Sequence, residues 1–113
     1  MAKPWPAGLL LRRLTERGDT PVVSTPVLFE WLRGPRTADE LRDQQMLVPD
    51  DLVVAFDARC ARVAANIYLQ LTRPRQRDID IAIAACAIEH NAPLWTLNVE
   101  DFSDIPGLKL YQP

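Results

Sequence analysis

Three carboxylates define the chemistry open to this chain. Glu30 lies in Val27-Leu-Phe-Glu-Trp-Leu32, among apolar neighbours; Asp80 opens the apolar run Ile81 to Ile88; Asp101 follows Trp95-Thr-Leu-Asn-Val-Glu. A helix that is hydrophobic all round is buried, so Glu30 is expected to be buried and to be paired, protonated or bound to a metal, because burying an isolated charge costs many kcal/mol. A salt bridge to Arg33 or Arg12 is the plain alternative. Asp78 and Asp80 have a plain reading as well, since carboxylates in a first helical turn favour the helix dipole by roughly 0.3–1 kcal/mol. Asp101 has the look of an ordinary turn residue. The argument for chemistry is convergence of the three. Hard cations such as Mg²⁺ and Mn²⁺ take octahedral oxygen ligands, keep several waters and need only one or two direct carboxylates. They polarise a phosphate and activate water for in-line attack on a phosphodiester. The lone His90 at a helix end suits a dipole-compatible surface position rather than a zinc ligand.

Convergence depends on the elements. Asp78 to Asn91 reads as a helix capped by Asp78, and Pro93 to Leu97 as the strand after it. In a parallel α/β sheet, helix starts and strand ends meet at one edge, where such folds collect their chemistry. Asp80 and Asp101 are therefore expected to be neighbours, although 21 positions apart. Upstream, Pro6 to Gly18 has the proline-start, glycine-stop grammar of a helix over Ala7–Arg17 with an apolar stripe of Leu10, Leu11 and Leu14. Pro21 to Ser24 reads as a buried strand, and Thr25 as the cap of a helix with Pro26 first, ending at Gly34. Thr37-Ala-Asp-Glu40 fits a capping box for a helix to about Met46. Leu52 to Phe56 reads as a strand. Asp57 caps a longer helix whose core face is read as Ala61, Ala64, Ala65, Tyr68 and Leu69. Leu108 to Tyr111 is a last short strand. Strands alternating with helices give an α/β class with a parallel or mostly parallel sheet covered on both faces.

The 113 residues fit a single domain, 1–113, large enough to bury roughly 65% of its unfolded surface. Net charge of −2 gives no global attraction to a polyanion, so nucleic-acid contact requires a local basic patch. Arg73, Arg75 and Arg77 form a basic loop beside the Asp80 helix, suited to RNA phosphates or equally to a solvated loop balancing nearby acids. Trp5 and Trp31 have the ring faces to stack bases, but Trp31 fits a core or dimer interface better. Cys60 and Cys86 show no metal or redox spacing and read as buried free thiols. No apolar run approaches the roughly 18 residues of a membrane span, and Met1 to Pro6 lacks a signal-peptide core. No membrane association and a cytoplasmic location are expected.

Four stretches in order, Ser24-Thr-Pro-Val-Leu-Phe-Glu-Trp-Leu-Arg-Gly34, Asp80-Ile-Ala-Ile-Ala-Ala85, Thr96-Leu-Asn-Val-Glu-Asp-Phe102 and Ile105-Pro-Gly-Leu108, resemble the PIN-domain ribonucleases, particularly the VapC-type toxins of toxin–antitoxin systems. The resemblance is collinear from about Leu9 to Pro113. It implies a three-layer α/β/α fold, an acidic pocket for Mg²⁺ or Mn²⁺, endoribonuclease action on structured RNA such as tRNA or rRNA, and inhibition by a cognate antitoxin. A homodimer is also implied, with Val27–Trp31 and the Leu10–Leu14 stripe as its surface. Residue by residue, Glu30 matches the family's helix glutamate, Asp80 its helix-start aspartate and Asp101 the acid after the next strand; Thr96 and Asn98 take positions that often help bind metal or water.

The family pattern begins with a strand carrying an aspartate, ahead of the helix that matches Ala7–Arg17. Here only Met1 to Pro6 precedes that helix, and no Asp occurs before Asp19. A missing N-terminal strand is therefore expected, through a start placed too far downstream, a decayed homologue, or a strand supplied by another chain. The first is favoured because Glu30, Asp80 and Asp101 are all retained. Two functions follow as expectations: a metal-dependent endoribonuclease toxin, or a catalytically inactive PIN-like module that binds an antitoxin or RNA. An unrelated α/β domain whose acids are only helix caps is the third.

Overall fold

The protein is described by a computed structural model covering residues 22–111. The expected helix over Ala7–Arg17, Trp5, Arg12, the Leu10–Leu14 stripe and the expected absence of a first strand lie outside the described residues. The chain divides into two compact units, one ending at Val54 and the other starting at Ala55.

In the first unit, strand β1 (Val23–Ser24) runs into helix α1 (Thr25–Leu32) without a loop. The cap of α1 is Ser24 rather than the expected Thr25, and it makes no side-chain capping bond. Pro26 sits in the first turn, where a missing N–H leaves nothing unsatisfied. The helix stops at Leu32, two residues short of Gly34. Its end is closed by Arg36, whose Nε donates to the Trp31 carbonyl at 2.9 Å and whose guanidinium lies 4.3 Å from the Trp31 ring centre. Helix α2 (Ala38–Leu47) carries the full capping box: Glu40 N–H donates to Thr37 Oγ1 and Thr37 N–H to Glu40 Oε1. Strand β2 (Val53–Val54) follows a 3-10 turn over Asp50–Leu52. The strand expected over Leu52 to Phe56 is thus shorter at both ends, because Leu52 is bent into that turn by its N–H bond to the Pro49 carbonyl. β1 and β2 pair in parallel, Val23 opposite Val53 and Ser24 opposite Val54. Trp31 and Val48 form the buried centre here, with Val23, Val27, Leu52 and Val53 packed on it.

In the second unit, helix α3 (Ala58–Gln70) is capped by Asp57, whose carboxylate accepts from Cys60 N–H at 3.0 Å. It packs against helix α4 (Asp78–Glu89), which buries Ile81, Ile83, Ala84, Ala85 and Cys86. The buried face of α3 is Cys60 and Ile67, flanked by the half-buried Val63, Ala64 and Leu71. This corrects the expected face: Ala61, Ala65, Tyr68 and Leu69 are exposed, Leu69 by 80%. Burying Ile67 and Val63 removes more apolar area from water than burying alanines does.

α4 starts one residue earlier than expected, since Arg77 is its cap and Asp78 its first residue. It ends at Glu89 in a left-handed closure at Asn91 (φ 50°), where Asn91 N–H donates to Ile88 O and Ala92 N–H to Ala87 O. The two expected final strands reduce to a single parallel bridge, Leu94 with Leu110. Leu94 N–H donates to Lys109 O and Tyr111 N–H to Leu94 O. Both strand pairings among the described residues are parallel, and with the helices they make an α/β fold. Among the described residues no helix is long and apolar enough to cross a membrane.

Candidate acidic site

α4 is apolar from Ile81 to Ile88, so burial fixes its axis, and its N-terminus is a polar end. That end carries Asp78 and Asp80, with Arg77 at the cap. After the Leu94 bridge the chain enters a 3-10 turn, Val99–Phe102, anchored by the buried Phe102 and by the buried Ile105 just beyond it. The turn opens with Asn98 N–H donating to Thr96 Oγ1 at 3.0 Å, and Asp101 N–H donates to Asn98 O at 3.0 Å. Thr96 and Asn98 therefore shape the turn that holds Asp101.

One guanidinium joins these two segments. Arg77 Nη1 and Nη2 donate to the two carboxylate oxygens of Asp104 at 2.9 and 2.7 Å, and Nη2 also donates to the Asp101 carbonyl at 2.9 Å. Nη1 donates as well to the Arg73 carbonyl at 3.3 Å. The side chain of Arg77 is only 20% exposed. Hydrogen bonding to Asp104, followed by the charges of Asp104, Asp80 and Asp101, holds the Arg77 guanidinium further toward its charged form. The same fork keeps the Asp104 carboxyl below the ordinary carboxylate range. Asp80 and Asp101, 21 positions apart, are both among the charges that act on Arg77.

Other expected site residues stand differently. Glu30 belongs to the first unit and is exposed rather than buried, with 44% of its side chain accessible. Its neighbours are apolar, but Phe29 and Leu32 on the same helix are exposed too, so α1 buries only the Trp31 side. Glu30 lies 3.8 Å from Arg33, the plain pairing expected from the sequence. Arg73 and Arg75 are exposed in the loop before α4, whereas Arg77 is engaged by Asp104. His90 is the exposed C-cap of α4. Cys60 and Cys86 are buried free thiols, as expected.

Sequence reasoning missed Asp104 and the linking role of Arg77. The only available signal was an acid within the turn Phe102-Ser-Asp-Ile-Pro; its partner lies 27 positions away. Among the described residues no group of three or more His, Cys, Asp and Glu side chains is placed to hold a metal ion. The donor chemistry at the α4 end still suits a hard cation, which keeps waters and needs only one or two direct carboxylates.

Residues 6–108 match the PIN domain, and the chain belongs to the PIN-domain family. Solved structures share its fold, two of them as follows. A chain in the crystal structure of VapBC2 from Rickettsia felis bound to a DNA fragment from their promoter is 23% identical, with a TM-score of 0.72 over 91% of this chain and 82% of that one. A chain in the crystal structure of DNA-bound VapBC from Salmonella typhimurium is 19% identical, with a TM-score of 0.70 over 94% and 85%. No curated protein matches the chain in sequence.

Proposed function

We propose that the protein is a metal-dependent endoribonuclease acting as the toxin of a type II toxin–antitoxin system. The observation that carries this reading is the bond of Arg77, the cap of the helix that opens with Asp78 and Asp80, to the Asp101 carbonyl at 2.9 Å, which joins the two acidic segments in a chain of the PIN-domain family. The likeness to VapBC structures supports a cognate antitoxin as partner. In this reading Asp80 and Asp101, with Asn98, would hold Mg²⁺ or Mn²⁺, and the two aspartates are the catalytic acids. When bound, such an ion supplies Lewis-acid polarisation of a phosphodiester and an activated water. The chain's own residues do the rest. Asp80 and Asp101 offer hard oxygen donors, Thr96 and Asn98 fix the turn beneath Asp101, and the exposed Arg73 and Arg75 meet RNA phosphates. Arg77 contributes charge beside them. The exposed Phe29 and Leu32 on α1 suit a homodimer surface.

A second reading, a catalytically inactive module that binds antitoxin or RNA, is favoured by the absence of a three-acid group among the described residues. One assay separates them. The purified protein is incubated with tRNA and rRNA in Mn²⁺ or in EDTA, alongside Asp80→Asn. Cleavage that needs the metal and is abolished in Asp80→Asn, with an unchanged melting temperature, supports the nuclease. RNA or antitoxin binding without cleavage supports the inactive module, and cleavage unchanged in Asp80→Asn removes Asp80 from the site.

A further inference from the structure

We infer that Arg77 is a positioning residue for the acidic site: its guanidinium clamps the turn carrying Asp101 onto the start of α4, which carries Asp80, and so sets the spacing of the two carboxylates. This inference rests on the nuclease reading above and names a residue that acts through others.

The geometry is specific to arginine. Its planar fork meets both oxygens of Asp104 at 2.9 and 2.7 Å, an arrangement that a lysine ammonium cannot reproduce. The third bond goes to the Asp101 main-chain carbonyl, so the turn is gripped at its backbone, and the Asp101 carboxylate is exposed. The fourth, to the Arg73 carbonyl, ties the preceding basic loop to the same point. Phe102 and Ile105 anchor the apolar side of the turn, and Arg77 fixes its polar side. Arg77 is delivered by a strained backbone: Gln76, immediately before it, has φ 64°, a left-handed conformation that is unfavourable for a non-glycine residue. Strain of this kind persists where surrounding structure fixes it, and it clusters at functional sites.

Position and charge act in opposite directions here, which makes the clamp testable. As a positive charge beside Asp80 and Asp101, Arg77 opposes a second cation. As a clamp it preorganises their oxygens, and outer partners of metal ligands typically change metal affinity 10–100-fold. Arg77→Lys keeps the charge and removes the fork, so it isolates the clamp.

The test measures Mn²⁺ affinity by the electron paramagnetic resonance of free Mn²⁺, amide hydrogen exchange at Asp101 and Ile105 in metal-free protein, and melting temperature. Arg77→Lys and Asp104→Asn are both expected to weaken Mn²⁺ binding by about 10–100-fold, with faster exchange in the turn and unchanged exchange in α4. Asp104→Asn keeps the side chain's size and reads the contact from the other partner should the Arg77 variant fail to fold. The double variant is expected to lose no more than either single one, because both remove one contact. Wild-type affinity and wild-type exchange in Arg77→Lys would overturn the clamp, as would tighter Mn²⁺ binding in Arg77→Gln with exchange unaltered. A wild-type protein that binds no Mn²⁺ overturns the nuclease reading and with it the clamp's role at a metal; unchanged exchange in the variants overturns the clamp alone.

Discussion

Arg77 and Asp104 show what a single residue pair settles in this protein. Read along the chain, Arg73, Arg75 and Arg77 look like three equivalent cations. In the fold Arg77 is drawn out of that set by a carboxylate 27 positions away, a distance that no local pattern encodes. The pair has a pH signature. Because the fork holds the folded Asp104 carboxyl below its ordinary value, the unfolded chain takes up that proton more readily. The stabilisation is fully present above the ordinary carboxylate value and is lost as pH falls through the lowered folded value. Melting curves of wild type and Asp104→Asn are therefore expected to differ at neutral pH and to converge in acid; a gap that widens in acid would contradict this. Glu30 departs from the expectation for a related reason. Its neighbours are apolar, but α1 buries only the Trp31 side, so the carboxylate is exposed beside Arg33. An exposed pair at 3.8 Å contributes little, and Glu30→Gln is expected to shift stability by less than about 0.5 kcal/mol in denaturant unfolding.

At the scale of elements, what the sequence made legible is what local chemistry decides. The Thr37–Glu40 capping box, the Asp57 cap and the proline in the first turn of α1 all lie where sequence spacing puts them. The buried α4 is equally legible, since Asp80 to Glu89 offers no polar face. Strand lengths were not. Val53–Val54 is all that remains of a five-residue expectation, because strand extent depends on a neighbour's hydrogen bonds rather than on the run itself. The face of α3 was ambiguous in the same way. Its sequence carries two apolar stripes, Cys60-Val63-Ile67 and Ala61-Ala65-Tyr68-Leu69, and only packing against α4 chooses between them. Ile67→Ala is expected to cost about 2–5 kcal/mol. Leu69→Ala, at a position 80% exposed, is expected to stay within about 0.5 kcal/mol. Equal losses at the two positions in chemical denaturation would show that the wrong stripe has been called buried.

For the whole molecule, an α/β frame with parallel pairings belongs to the PIN-domain family and delivers an acidic helix start and an acidic turn to the same guanidinium. Nothing local in the sequence marks the clamp, since Arg77 and Asp104 stand 27 positions apart. The most direct measurement is paramagnetic broadening of backbone amide signals by substoichiometric Mn²⁺ in the isotope-labelled protein. Selective broadening of both segments, residues 78–81 and 98–104, is the predicted result, and it should vanish in Asp80→Asn. Broadening confined to other acidic stretches, such as Asp50 and Asp51, with both segments left sharp, would contradict the account.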